Sequence, residues 1–319
     1  MELDRIEGAA MTFLTVALTS AVVFGTPLIL AALGELIAER SGVLNLSVEG
    51  MMLVGAASGF VVTLNTENIY LGLSAAMIGG GLLALIHAFL CVSLRANQIV
   101  SGLTLALLGA GLSAFIGRDA GGFPVPQYIT AIRIPLLADI PIIGPALFDQ
   151  DIIVYAAILM LPAAALIINR TRLGLGLRAT GESPAAADAS GIPVIAVRYV
   201  SVVLGGVLAG LAGSYFSIVY TRVWSDNLTA GRGWIAIALV IFASWRPMLL
   251  LPGALLFGFI DSLNIQLQTL GIKLSTDILG MLPYVITLIA LTLVWVRQRR
   301  GGRGVPLTLG VPYEREVRS

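Results

Sequence analysis

Few residues in this sequence could do chemistry, and the densest group of them lies in GVLNLSVEGMMLVGA, Gly42 to Ala56. There Asn45, Ser47 and the carboxylate Glu49 fall within five residues of one another in otherwise apolar surroundings. An amide, a hydroxyl and a carboxylate at this spacing are hydrogen-bonding groups, suited to a polar solute or to a helix end. A second stretch, NLTAGRGWIAIALVIFA, repeats the order Asn-Leu-hydroxyl and supplies Asn227, Thr229 and Arg232.

Covalent, redox and metal chemistry find little support. The single lysine, Lys273, stands in GIKLST and not in the G-x-x-x-x-G-K-[ST] loop that cradles phosphates. His87 lies in an apolar run and reads as a packed or pore-facing side chain, not as a metal ligand. No G-x-S-x-G nucleophile pattern occurs. The one cysteine, Cys91, cannot form an intrachain disulfide and reads as packing. The expectation is a protein without catalytic residues, metal or cofactor.

The elements that position these groups must sit in a bilayer. The chain of 319 residues is 57% hydrophobic and only 12% charged, with mean hydropathy +0.94, far from the balance of a soluble domain. Apolar runs of about 20 residues recur, the length a helix needs to cross a hydrocarbon core about 30 Å thick. Stretches such as Met11 to Gly34 lack the alternation of a barrel strand. The expected fold class is therefore all-α: a polytopic membrane protein of about nine transmembrane helices, forming one domain over residues 1–319. The spans fall near 10–36, 42–64, 70–94, 97–117, 151–169, 195–220, 233–246, 249–267 and 277–297. The span at 233–246 is short for a full crossing. The opening MELDRIEG lacks a basic signal-peptide region, so the first helix is expected to remain in the mature protein.

Charge orients this set. If RTRLGLGLRATGESPAAADASGIPV is cytoplasmic, alternation places 13 of the 19 basic residues inside. The C-terminus is then inside and the N-terminus outside. A net charge of +1 gives no support for nucleic-acid binding, and Arg299, Arg300 and Arg303 read as a cytoplasmic anchor on membrane lipid.

The two polar stretches are offset by 182 residues, and in this topology they precede helices running in opposite directions. The implied repeats, about 10–117 and 195–297, are inverted. Inverted repeats with broken helices that meet around a pathway are a transporter design. Broken backbone at membrane depth is tolerated only where protein or a wet cavity satisfies it. The plainer account makes Ser47 and Thr229 ordinary helix N-caps. It does not cover Glu49, a carboxylate too costly for the bilayer without a partner or a cavity, so Glu49 is assigned to the pathway with Asn45, Ser47, Asn227 and Thr229. Glu49 and Arg232 either pair directly or each line a hydrated cavity, and Arg232 alternatively snorkels to the outer interface. Asp261 is the other deep acid and Glu35 lies nearer a helix end, a thin set for cation coupling. Gly205, Gly206, Gly210 and Gly213 in one span read as close helix packing.

The loop over about 170–194 holds a short capped helix. Ser183 is placed to cap it, Pro184 suits its first turn, Gly191 stops it and Pro193 prevents its continuation. SGVLNLSVEGMMLVGA, GESPAAADASGI and NLTAGRGWIAIALVIFASWRP, in this order, closely resemble the permease subunits of nucleoside ABC importers. The wider group includes ribose and branched-chain amino acid permeases, and the resemblance covers nearly the whole chain. It implies that Ala186 and Ala187, with Gly181, Ser183, Pro184 and Gly191 around them, form the coupling helix that docks into a separate ATP-binding subunit. The glutamate that precedes the two alanines in many other importers is Ala185 here. The resemblance also implies an extracytoplasmic substrate-binding protein, two ATPase subunits, a second and different permease chain, and a place in a bacterial-type inner membrane. Competing readings are a ribose or other monosaccharide permease, an ion-coupled secondary carrier working alone, and a scaffold or receptor without a pathway.

Overall fold

The computed structural model describes residues 2–269, 281, 285, 288, 289, 292 and 305–314. Its long helices are α1 (Glu2–Arg40), α2 (Val48–Thr66), α3 (Ile69–Ala88), α4 (Gln98–Gly117), α6 (Ile152–Arg170) and α9 (Val194–Ser214). α3 and α9 each continue into a π-helical turn, Phe89–Ser93 and Tyr215–Tyr220. Among the described residues, six stretches are long and apolar enough to cross a membrane, the shortest of them 19 residues and the longest 30. At a rise of about 1.5 Å per residue even the shortest covers about 28 Å. The chain is thus a polytopic all-α membrane protein. Its only sheet among the described residues pairs β1 (Ile132–Arg133) with β2 (Asp149–Gln150), around the short α5 (Ile143–Phe148) in the loop after α4.

Several helix starts follow one rule. Asn68, Asn97 and Asp151 stand immediately before apolar runs, and each side chain accepts from two backbone N–H groups of the first turn. Those groups have no intrahelical acceptor, so the cap supplies one.

At the centre stands α9, whose glycines face three other helices. A Cβ on Gly205 would lie 3.0 Å from the carbonyl of Gly34 on α1, and one on Gly213 or Gly210 would run into the backbone of α2 or α3. The small residues let helix backbones meet directly, the packing expected for that span. α1 packs along α9, α10 (Arg232–Phe242) and α11 (Pro247–Thr269), while α2 lies among α3, α4 and α9.

The hydropathy spans are revised in three places. The span expected at 42–64 becomes a helix only at Val48, because residues 41–47 form an irregular turn. The short span at 233–246 is an 11-residue helix, about 16 Å long and half a crossing. The loop at 170–194 holds two helices, α7 (Arg172–Glu182) and α8 (Pro184–Ala189), where one was expected. Three glycines in α7 hide its periodicity in the sequence. The last expected span, 277–297, lies outside the described residues apart from a few isolated positions.

Candidate functional site: two facing helix breaks

The first break runs from the end of α1 to the start of α2, and its backbone is satisfied by side chains from three helices. Leu44 N–H donates to Gln98 Oε1 at 2.7 Å, and the Leu44 carbonyl accepts from His87 Nε2 at 3.1 Å. With Nε2 donating, His87 Nδ1 accepts from the Ser101 hydroxyl at 3.0 Å. His87 is therefore a fully buried structural clamp with both ring nitrogens used. Asn45 N–H donates to Glu35 Oε1 at 3.0 Å on α1. Asn45 Oδ1 accepts from Ser47 N–H at 3.0 Å and from the Ser47 hydroxyl at 2.5 Å, closing a local turn. Ser47 does hold the N-cap position of α2, but its hydroxyl caps nothing because Asn45 takes it.

The second break precedes α10. Asn227, Ala230 and Gly231 all have positive φ, so the chain turns sharply into the helix. Its donors converge on Glu49. Oε1 accepts from the Thr229 hydroxyl at 2.6 Å and from Gly231 N–H at 2.8 Å, and Oε2 accepts from Gly233 N–H at 2.6 Å. Thr229 is not the N-cap; Gly231 is, and a carboxylate from the other half supplies the missing acceptor. Glu49 is only 6% exposed. Three charge-assisted hydrogen bonds and the positive end of a helix dipole offset the cost of burying it. A Cβ at Gly233 would lie 2.5 Å from Glu49 Cα, so glycine permits this approach.

The echoing motifs thus come into contact, but not through the two charges. Arg232 turns away from Glu49 and pairs with Asp261, with Nη2 to Oδ2 at 3.1 Å and Nε to Oδ2 at 3.2 Å. Its guanidinium also lies 5.0 Å from the centre of the Phe216 ring, and Nη1 donates to the Thr229 carbonyl at 3.3 Å. Asn227 stays outside the cluster: it is exposed, and it joins the turn through its carbonyl, which accepts from Ala230 N–H at 2.9 Å. Asn45, Ser47, Thr229 and Glu49 are all buried, and a cleft of about 370 Å3 between α6 and the start of α11 is lined by none of them.

A second link between the halves escaped the sequence reading. Glu35 and Glu39, one turn apart on α1, are both buried, and Glu39 accepts from Trp245 Nε1 in the turn between α10 and α11. Arg40 donates to the Trp245 carbonyl through Nε at 3.2 Å and Nη2 at 2.7 Å. ELIAER reads as an ordinary helix end, so nothing in it signalled this role.

In the loop after α6, Pro184 opens α8 as expected, while the Ser183 side chain makes no capping bond. Gly191 has φ +83°, its N–H donates to Asp188, and Ile192 N–H reaches back to the Ala187 carbonyl at 3.0 Å. This is the glycine-terminated stop anticipated from sequence. Ala187 is buried against the bundle, whereas Ala185, Ala186 and Ala189 are exposed on the outer side of α8. Gly181, at the end of α7, is buried beside the end of α1.

A membrane bundle with two facing breaks and a capped helix outside it is the frame of a transport permease. Residues 17–291 match the family described as branched-chain amino acid transport system / permease component, and the chain belongs to that family. Its relatives include a putative glucose ABC transporter permease protein of Haloferax volcanii, 41% identical over 96% of this chain and all of that protein. A guanosine ABC transporter permease protein of Bacillus subtilis is 36% identical over 94% of this chain and 97% of its own length. A nucleoside ABC transporter permease protein of Lactococcus lactis is 35% identical over 88% of this chain and 92% of its own length. No solved structure matches the chain.

Proposed function

We propose that this chain is the permease subunit of an ABC importer that moves a nucleoside or a related simple sugar solute inward, energised by separate ATP-binding subunits. The observation that carries the reading is the near full-length likeness to nucleoside and glucose ABC permeases, in a chain whose two helix breaks meet at one carboxylate. The monosaccharide reading stands beside it because the glucose permease relative is 41% identical.

In this reading the bundle has nine spans arranged as two inverted repeats, with the N-terminus outside and the C-terminus inside. A substrate-binding protein delivers solute on the outer side, and a second, different permease chain completes the pathway. α8 docks into the ATPase, with Gly181, Ser183, Pro184, Ala186, Ala187 and Gly191 setting its position. Asn45, Ser47, Glu49, Thr229, Asn227 and Arg232 belong to the pathway's moving wall. Glu49 acts as a latch: while it caps α10 the two halves are joined. Opening exchanges its three bonds for water or for the hydroxyls of a polyol solute.

Reconstitution of the chain with its ATPase, partner permease and binding protein in liposomes tests the substrate class. ATP-dependent uptake of labelled nucleoside, not displaced by excess glucose, is the expected result; displacement by glucose favours the monosaccharide reading. Uptake by this chain alone, driven by an ion gradient, would sink the ABC reading. Reporter fusions at residues 5 and 185 are expected to report opposite sides of the membrane, and reporters on the same side would refute the orientation.

A further inference from the structure

The segment 305–314 folds back across the ends of three helices and the turn between two others. Its turn is set by Leu309 N–H to the Pro306 carbonyl at 3.2 Å, Val311 N–H to the Thr308 carbonyl at 3.0 Å, and Gly310 at φ +79°. Thr308 donates twice to the carbonyl of Gly181, from its N–H at 3.0 Å and from its hydroxyl at 2.7 Å. Gly310 N–H donates to the carbonyl of Gly42 at 3.2 Å. From α9, Arg198 bridges the same two parts: Nε donates to the Ser41 carbonyl at 3.2 Å and Nη1 to the Val311 carbonyl at 3.3 Å. The Tyr313 ring lies 6.0 Å from that guanidinium, and Glu314 pairs with Arg95 at 2.7 Å in the turn between α3 and α4. Leu309 packs on the main hydrophobic core.

We infer that this segment is a strap that ties the coupling end of α7 to the first helix break, with Thr308 and Arg198 as its positioning residues. The inference rests on the coupling role proposed for α8. Gly181 lies just before the start of α8, and Gly42 lies three residues before Asn45. Displacing α7 and α8 therefore pulls, through Thr308 and Gly310, on the turn that carries Asn45 and then Glu49.

The chemistry of the strap fits transmission better than simple anchoring. An apolar contact such as that of Leu309 suffices to hold a tail against a bundle. Here a guanidinium only 1% exposed meets carbonyls, among the described residues no carboxylate pairs with it, and its Nη2 has no partner. A buried cation so placed is expensive as a source of stability. It does hold two backbone segments in register, since Nε and Nη1 point to different segments and cannot follow both if they separate.

The test measures ATP hydrolysis and uptake together, in liposomes holding the complete complex. Four permeases are compared: the full chain, a chain ending at residue 304, Thr308→Val and Gly191→Val. The shortened chain is expected to hydrolyse ATP at near the normal rate, with transport per ATP lowered at least about fivefold. Thr308→Val, which removes one hydrogen bond, is expected to lower the ratio about threefold. Should the shortened chain fail to assemble, Thr308→Val decides the matter, because it changes a single hydroxyl in a half-buried site. A normal ratio in Thr308→Val and in any assembled shortened chain, even with lowered thermal stability, would make the segment a passive anchor and overturn the inference. Gly191→Val separates the two ideas: a normal ratio there removes the coupling role of α8 and the strap's premise with it, while a lowered ratio there beside normal ratios in the tail variants overturns the strap alone.

Discussion

The two helix breaks begin with the same Asn-Leu-hydroxyl pattern and are held in opposite ways. Around Asn45 the load is spread: Gln98, His87 and Glu35 each take one backbone group, and Asn45 with Ser47 closes the turn. Ahead of α10 it is concentrated, since Thr229, Gly231 and Gly233 all donate to Glu49. The first break is supported by neighbours in its own half, the second by a residue of the other half. A distributed arrangement resists local change, whereas a single shared acceptor can release a whole helix end in one step. In the proposed transport cycle, that asymmetry assigns the movement to the second break.

The largest effect that tests this contrast is expected at Glu49. Glu49→Ala strands three donors at once, each at a cost of about 1–3 kcal/mol when buried. The protein should show a sharply lowered thermal midpoint in detergent and little uptake. Glu49→Gln keeps the shape and one acceptor oxygen but loses the charge at the helix N-terminus, where a carboxylate contributes up to about 2 kcal/mol. It should insert normally and transport poorly, while Glu67→Gln at an exposed helix end changes neither property. Uptake at the normal rate by well-expressed Glu49→Gln would mean that the charge only fastens the fold.

Much of this arrangement was legible in the sequence, and the remainder was hidden for identifiable reasons. Apolar length gave the crossing helices because burial in lipid demands about 20 apolar residues whatever surrounds them. The unusual carboxylate in GVLNLSVEG marked Glu49, because an unpartnered charge there is too costly to be accidental. Its partner was not legible: helix N-caps are local in sequence, and this one crosses 182 residues. Sign alone suggested Arg232, but oppositely charged residues pair only where the backbone aims them together, and α10 aims Arg232 at Asp261. Ser183 has the right type for a cap, yet its backbone at φ −151°, ψ 87° leaves the hydroxyl without a cap bond.

A smaller effect is expected at the first break. Gln98→Leu leaves Leu44 N–H without its acceptor, but it also removes Gln98 Nε2, a buried donor that already has no partner. The two changes oppose each other, so the net loss should be about 1 kcal/mol, well below that of Glu49→Ala. A loss in Gln98→Leu equal to that of Glu49→Ala, read from thermal midpoints of matched preparations, would erase the distinction between a shared and a concentrated load.

The smallest effect should come from the ion pair beside the second break, and it should be unequal between the partners. Arg232 and Asp261 are 22% and 19% exposed in their side chains, so water screens the pair in part. Asp261→Asn leaves the guanidinium with two other supports, the Phe216 ring and the Thr229 carbonyl. Arg232→Gln is harsher, because among the described residues the Asp261 carboxylate accepts from Arg232 alone. The expected order of destabilisation is therefore Arg232→Gln, at about 0.5 kcal/mol, above Asp261→Asn, at about 0.2 kcal/mol. Because neither change removes an acceptor from α10, both should leave its cap in place, and Asp261→Asn should leave uptake largely intact. Thermal midpoints for the two variants and the double variant, taken at low and high salt, decide the point. Equal losses would show that the pair acts alone, whereas an abolished uptake in Asp261→Asn with normal stability would move Asp261 from a supporting partner of Arg232 to a group that meets the solute.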